Sequence, residues 1–339
     1  MIYKNAEIHN VAEIKINEKD GSMTWFRMPG YLTDKFEIPM AKDMNVASTG
    51  VEIRFVIKSG TATVRMQSLS ENGKNSSFHV FRGGIQGGYT DMEDVRVGAE
   101  PHDFKFEKSG NIDVLRAMSE EAGERFDPEV IRIIFDRGTY RILDISGDIE
   151  PPSKGQTPLK TLMCYGSSIT HGSSALDMSH SWASMLAHEL HTDLINLGMA
   201  GSCALEPEVI DYIAAEGERG AWDILIMELG ANVLSWEEEK IRERTEYAFT
   251  QTALKNPDKK IYAISPLYCG LDFKGMPQAA RWRRVMKETA DKLSLKNLIY
   301  IDGLDLIGSL SRYISADEVH PSIYGSELIA KKLTGILKG

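Results

Sequence analysis

LKTLMCYGSSITHG, residues 159–172, opens as a short apolar run and closes in a turn crowded with glycine, serine and threonine. A short apolar run bounded by such residues reads as a buried strand that hands the chain to a helix. The same alternation continues downstream. A helix with Trp182, Met185, Leu186 and Leu190 on one face follows, then the strand DLINLG (193–198). Pro207 to Ala215 reads as a helix closed by Gly217, and DILIMELG (223–230) as the third strand. The next helix is expected to open with Ser235 and Glu238 in capping-box spacing and to stop before Pro257. KIYAISP and NLIYIDG are two more strands, separated by a helix carrying Trp282, Val285, Met286 and Leu293. Pro321 is expected to start the last helix, which runs to the C-terminus. Repeated β–α units predict a parallel sheet covered on both faces, a three-layer α/β/α domain.

Upstream the rhythm differs. Val51, Ile53, Phe55 and Ile57 alternate with polar residues, as do Thr61 to Met66 and Asp103 to Phe106. EVIRIIF (129–135) and YRILDI (140–145) read as more buried strands, and clusters such as ENGKN and RGGIQGG punctuate them. This is the pattern of an antiparallel β-sandwich, with one helical excursion at about Ile112 to Arg125. GDIEPPSKGQTP (147–158) has adjacent prolines, two glycines and no periodicity. The expected organisation is therefore an all-β sandwich over residues 1–150, a linker over 151–158 and the α/β domain over 159–339.

Composition narrows the function. The formal net charge of −10 disfavours a nucleic-acid binder, which needs a basic face. No run approaches the ~20 apolar residues of a membrane span, and the N-terminus MIYKNAEIHNVAEIKIN carries no leader-like apolar core. Cys164, Cys203 and Cys269 cannot pair off completely, which fits a reduced, cytoplasmic setting.

Ligands of open parallel sheets bind beyond the carboxyl ends of the strands. After the first strand of the second half come Gly166, Ser167 and Ser168; after the second, GMAGS with Gly198 and Gly201. After the third comes Asn232, and beyond a longer loop DEVHP brings Asp317 and His320. These parts fit acyl transfer. A serine hydroxyl needs a base, histidine titrates in the right range, and the imidazole needs an acceptor for its other nitrogen. Backbone N–H groups at Ser168 and Gly201, with the Asn232 carboxamide, would supply donors to a tetrahedral oxyanion.

GSSIT, GMAGS, GAN and DEVHP resemble, in order and spacing, the four blocks of the SGNH/GDSL hydrolases. The resemblance spans about residues 159–338. It implies a flavodoxin-like α/β/α fold and ester hydrolysis without metal or organic cofactor, with Ser168 as nucleophile, Gly201 and Asn232 completing the oxyanion hole, and Asp317 and His320 completing the triad. Two positions depart from the pattern: the usual Gly-Asp-Ser is Gly166-Ser167-Ser168, and the usual Asn-Asp is Asn232-Val233. GSSIT behind a β-sandwich is similar to a two-domain, jelly-roll-like subgroup. That subgroup includes carbohydrate acetyl esterases and an acyltransferase of polyketide biosynthesis. The expected substrate is accordingly a small-molecule or glycan ester with a small acyl group. Transfer to another alcohol and a non-catalytic carbohydrate-binding scaffold are the alternatives.

Other features have plainer readings. HELH places His188 and His191 three apart, but its glutamate does not match HExxH, so a packed or surface pair is expected rather than a metal site. FRGGIQGG lacks a strand–loop–helix setting and reads as a hairpin loop. Trp25, Phe26, Trp222, Trp236 and Trp282 are core candidates, Trp25 with a sugar-stacking alternative. The cysteines are expected as buried thiols, and WEEEKIRERTE as a solvated helix face. The loop from Tyr268 to Pro277 is expected to border the site.

Overall fold

The computed structural model describes residues 1–339 except Asn75, which ends the ENGKN cluster, and Asp94. The chain divides into two compact units. One comprises Met1–Gly30, Asn45–Leu159 and His191–Asp193; the other comprises Tyr31–Met44, Lys160–Leu190 and Leu194–Gly339.

Among the described residues the first half contains ten antiparallel strands: β1 (Ile2–Tyr3), β2 (Ala6–His9), β3 (Glu13–Ile16), β4 (Met23–Phe26) and β5 (Glu52–Ser68), then β6 (Phe78–Arg82), β7 (Ile85–Gln86), β8 (His102–Glu107), β9 (Val130–Phe135) and β10 (Tyr140–Glu150). Two helices interrupt them, α1 (Ala41–Val46) and α2 (Ile112–Ala122). The pairing order is β3-β4-β10-β5-β9-β6-β7, and β5 also pairs with β2 and β8. The two segments read separately around residues 51–57 and 61–66 are thus one strand, β5, with Gly60 at φ +68° within it. Val51, Ile53, Phe55 and Ile57 enter one buried cluster with Phe78, Phe104, Phe135 and Tyr140. Trp25 belongs to that cluster, 5.6 Å from the Phe135 ring, so it is a core residue and not a sugar platform. The polar partners in the alternation are not solvated: Glu52 and Arg54 are buried as well. They persist there because Glu52 accepts hydrogen bonds from the guanidinium groups of Arg54 and Arg132. RGGIQGG forms the β6–β7 hairpin, with Arg82 paired to Ile85. β10 runs to Glu150, beyond the YRILDI segment (140–145) read from the sequence, and register shifts around Asp148 let it stay paired with β5.

The second half is built on β11 (Thr161–Gly166), β12 (Asp193–Gly198), β13 (Ile224–Glu228), β14 (Lys260–Ile264) and β15 (Leu298–Ile301). Its order, β12-β11-β13-β14-β15, reverses between β11 and β13, the switch point at which such sheets open a crevice. The helices are α3 (Ser168–His171), α4 (Trp182–Glu189), α5 (Pro207–Glu218), α6 (Glu238–Lys255), α7 (Gly270–Phe273), α8 (Pro277–Leu293), α9 (Gly303–Leu306) and α10 (Ile323–Lys338). Leu162, Cys164 and Ile226 pack with Trp182 and Leu186 of α4 and Ile329 and Leu333 of α10. Met163, Leu225 and Met227, pointing to the opposite face, are equally buried. The side-by-side helices α5, α6 and α8 bring the buried Ile210, Phe249 and Trp282. Continuous apolar strands are the signature of a sheet covered on both faces.

Three helix ends differ from expectation. Ser235 does not cap α6; the chain turns at Val233–Trp236 and the N-cap is Glu237, without a side-chain cap bond. Pro321 forms a β-bridge with Ile314, and α10 starts after Ser322, whose hydroxyl accepts the Gly325 N–H at 3.2 Å. Gly217 lies inside the last turn of α5, where a side chain would collide with Trp222 and Asn256; the left-handed residue is Gly220.

Candidate active site

β11 ends at Gly166, and the chain enters the short helix α3 at Ser168. Ser167 takes the N-cap position, its hydroxyl accepting the Ile169 N–H at 3.1 Å. Gly172 at φ +84° closes the turn. Ser168 is nearly buried at 7% exposure, while Ser167 is fully buried beneath it.

The loop that follows β15 and α9 brings Asp317 and His320 to this turn. His320 Nε2 lies 2.8 Å from Ser168 Oγ, and His320 Nδ1 lies 2.7 Å from Asp317 Oδ2. An ionised carboxylate only accepts, so Nδ1 carries the proton and a neutral imidazole leaves Nε2 as acceptor for the serine hydroxyl. Asp317 Oδ1 is held separately by the Val319 and His320 N–H groups, each at 2.9 Å, and by the Ser315 hydroxyl at 2.7 Å. Burial opposes its charge, but these donors outweigh it and hold the carboxyl well below the usual carboxylate range. Glu318, between the pair, adopts φ +67°, a conformation uncommon without glycine that tertiary bonds must sustain. Those bonds come from the 268–277 loop: Gly270 N–H donates to Glu318 O at 2.7 Å, and Lys274 pairs with the Glu318 carboxylate. The loop thus borders the Asp317–His320 turn, with Phe273 82% exposed beside it.

The turn after β12 is tied from two sides. Met199 N–H donates to Gly166 O at 2.8 Å, and Cys203 N–H donates to Asn232 Oδ1 at 3.0 Å. The second bond fixes the carboxamide: with Oδ1 on an N–H, Nδ2 is the end left to donate elsewhere. Gly201 sits between these ties at φ +66°, and Met40 Sδ lies 2.8 Å from where its Cβ would be. Met40 comes from the Tyr31–Met44 segment, which belongs to this unit although it lies far upstream. The same segment is anchored where Glu37 pairs with Lys240 and Arg244 of α6. Val233, in the position where the resemblance has aspartate, is buried, and its carbonyl accepts the Trp282 indole N–H at 2.9 Å. The loop after β13 is therefore held from its backbone rather than by a carboxylate.

Sequence reasoning did not single out Asn196, Met40 or Glu228. Asn196 is buried inside β12; its Nδ2 donates to Thr170 O at 2.9 Å and its Oδ1 accepts the Gly198 N–H at 2.8 Å. A carboxamide within an otherwise apolar strand, like the glutamate ending ILIME, is the signal that could have found two of the three. Gly198 is required by close approach, since a Cβ there would lie 2.2 Å from His171 N and 2.7 Å from Thr170 C. Gly198→Ala is expected to destabilise the protein by about 3 kcal/mol, because backbone cannot yield as a side chain can. Chemical denaturation against the parent checks this.

All three cysteines are buried, and burial pushes the Cys164 and Cys203 thiols up. Among the described residues no group of three or more His, Cys, Asp or Glu is placed to hold a metal, and no helix is long and apolar enough to cross a membrane.

The sequence profile of the GDSL-like lipase/acylhydrolase family matches residues 159–338, more than half of the chain. Among solved structures the whole chain is similar to a salicylyl-acyltransferase from a tetracycline biosynthetic pathway, at 16% identity and TM-score 0.73, covering 99% of this chain and 95% of that one. It is also similar to a family two carbohydrate esterase from Cellvibrio japonicus, at 14% identity and TM-score 0.65, covering 98% and 94%. An acetyl xylan esterase from the rumen bacterium Butyrivibrio proteoclasticus is similar at 13% identity and TM-score 0.56, covering 88% and 92%. At these identities the likeness shows the fold. No curated protein matches the chain. The match over 159–338 settles the family: this chain belongs to the GDSL-like lipase/acylhydrolases and is an ester-hydrolysing enzyme.

Proposed function

We propose that the protein is a serine esterase that hydrolyses small acyl esters, of the acetyl type, on a carbohydrate. The observation that carries the reading is the unbroken line Asp317–His320–Ser168, with both links at hydrogen-bond length. His320 takes the Ser168 proton as Oγ attacks the ester carbonyl, and returns it to the departing alcohol. Water, activated by the same imidazole, then cleaves the acyl-enzyme and regenerates the serine. Ser168 N–H, Gly201 N–H and Asn232 Nδ2 hold the oxyanion of both tetrahedral intermediates. Asp317 keeps the imidazole in its productive tautomer and stabilises the cation formed in each step. None of these steps uses a cofactor.

The similar structures, which include carbohydrate and acetyl xylan esterases, support a small acyl group. The likeness to a salicylyl-acyltransferase supports a second reading, transfer to an alcohol other than water through the same acyl-enzyme. Turnover of p-nitrophenyl esters of increasing chain length, followed by acetylated oligosaccharides, tests the reading. Acetate is expected to give the highest kcat/KM and free acetate to be the product. A preference for long chains would contradict it, and an acylated alcohol formed in place of free acid would establish the second reading.

Asn232→Ala is expected to lower kcat about 10²–10³-fold, the usual cost of losing one oxyanion donor, with KM little changed. Steady-state kinetics on p-nitrophenyl acetate reads it.

A further inference from the structure

Glu228 is the last residue of β13, and the parallel register sets it beside Gly166, two residues before the nucleophile. Its side chain is 2% exposed. Oε2 accepts three hydrogen bonds, from Ser167 N–H at 2.9 Å, from the Ser167 hydroxyl at 2.7 Å and from the Thr170 hydroxyl at 3.1 Å. Every donor belongs to the turn that carries Ser168. Ser167 Oγ passes the constraint on by accepting the Ile169 N–H, so one carboxyl group sets the entry into α3.

This arrangement bears on the missing aspartate. A carboxylate at position 167 and the carboxyl of Glu228 would occupy the same buried space, and two such groups in contact repel. A hydroxyl at 167 instead gives Glu228 a donor. The second oxygen, Oε1, is buried and has no partner among the described residues. Burial raises the carboxyl above its ordinary range against the pull of the Ser167 and Thr170 bonds.

Resting on the reading of Ser168 as nucleophile, we propose that Glu228 is a positioning residue that supplies from β13 the carboxyl group absent at position 167. It acts through Ser167 and Thr170, fixing the direction of the Ser168 N–H and Oγ. Displacing a nucleophile by a fraction of its contact distance lowers the rate of the chemical step while leaving substrate affinity in place.

The test is a variant set assayed on p-nitrophenyl acetate, with thermal melts to confirm folding. Glu228→Gln retains an acceptor for the three donors and is expected to keep kcat within about threefold, at a lower melting temperature because its amide is buried without an acceptor. Glu228→Leu removes the acceptor and is expected to lower kcat about a hundredfold with KM unchanged. Adding Ser167→Asp to Glu228→Leu restores a carboxylate from the other side and is expected to recover at least about tenfold of that loss. If Glu228→Leu does not fold, Ser167→Ala and Thr170→Val decide, each expected to lower kcat at constant KM. Unchanged kcat in Glu228→Leu, no recovery on adding Ser167→Asp, or an effect confined to KM would overturn the proposal. Retained hydrolysis in Ser168→Ala would instead overturn the reading of the site itself, whatever Glu228 does.

Discussion

Ser168→Ala is expected to lower kcat for ester hydrolysis about a millionfold, leaving only the residual catalysis of an oxyanion site without a nucleophile. The expectation rests on position rather than residue type. Two serines stand side by side after β11, and only Ser168 Oγ lies within reach of an imidazole, 2.8 Å from His320 Nε2. Ser167 Oγ faces the other way, donating to Glu228 and accepting from Ile169. Its hydroxyl is committed and fully buried. Ser167→Ala is therefore expected to slow the reaction without abolishing it. The comparison of the two variants in one assay, at matched folded concentration, separates a lost nucleophile from a loosened turn.

Asp317→Asn is expected to cost about 10⁴-fold in kcat, although the replacement has nearly the same shape. Three donors, Val319 N–H, His320 N–H and the Ser315 hydroxyl, converge on Oδ1 and would hold the carboxamide oxygen there. The NH₂ group then faces His320 Nδ1, where the carboxylate Oδ2 now lies. Nδ1 is forced to accept, the proton moves to Nε2, and the imidazole meets Ser168 as a donor instead of a base. The pH dependence of stability has a definite sign. A carboxyl held below its ordinary pKa of about 3.9 stabilises the fold above that value and loses the effect only as pH falls through the lowered one. The difference in melting temperature between wild type and Asp317→Asn should therefore stay level from about pH 5 to 8 and narrow only in stronger acid. For the same reason, loss of wild-type activity between about pH 5 and 7 does not arise from Asp317.

The parallel domain was legible because each of its strands is apolar on both faces and each helix repeats at its own period. The residues at the carboxyl ends of β11, β12 and β13 and the Asp317–His320 turn could be assembled from topology alone, since a parallel sheet gathers them at one edge. Three features escaped for physical reasons. Glu228 looks like the polar end of an apolar strand, and its partners depend on the β11–β13 register, which no local pattern encodes. Met40 reaches Gly201 because residues 31–44 belong to the catalytic unit, a long-range association without periodicity. Glu52 and Arg54 alternate as solvent-facing residues should, yet they stay buried because Glu52 accepts from Arg54 and Arg132 while Arg54 also donates to Asp193. The two substituted aspartates also resolve differently. At 233 a backbone carbonyl bound by Trp282 holds the loop, whereas at 167 a hydroxyl engages Glu228.

The central claim is that Ser168, and not its neighbour, forms the acyl-enzyme. Reaction of the folded protein with a fluorophosphonate, followed by peptide mass spectrometry across residues 159–190, measures this directly. One adduct per chain, located on Ser168 and absent from Ser168→Ala, is the predicted result; an adduct on Ser167, or an unlabelled protein that still hydrolyses p-nitrophenyl acetate, would contradict it.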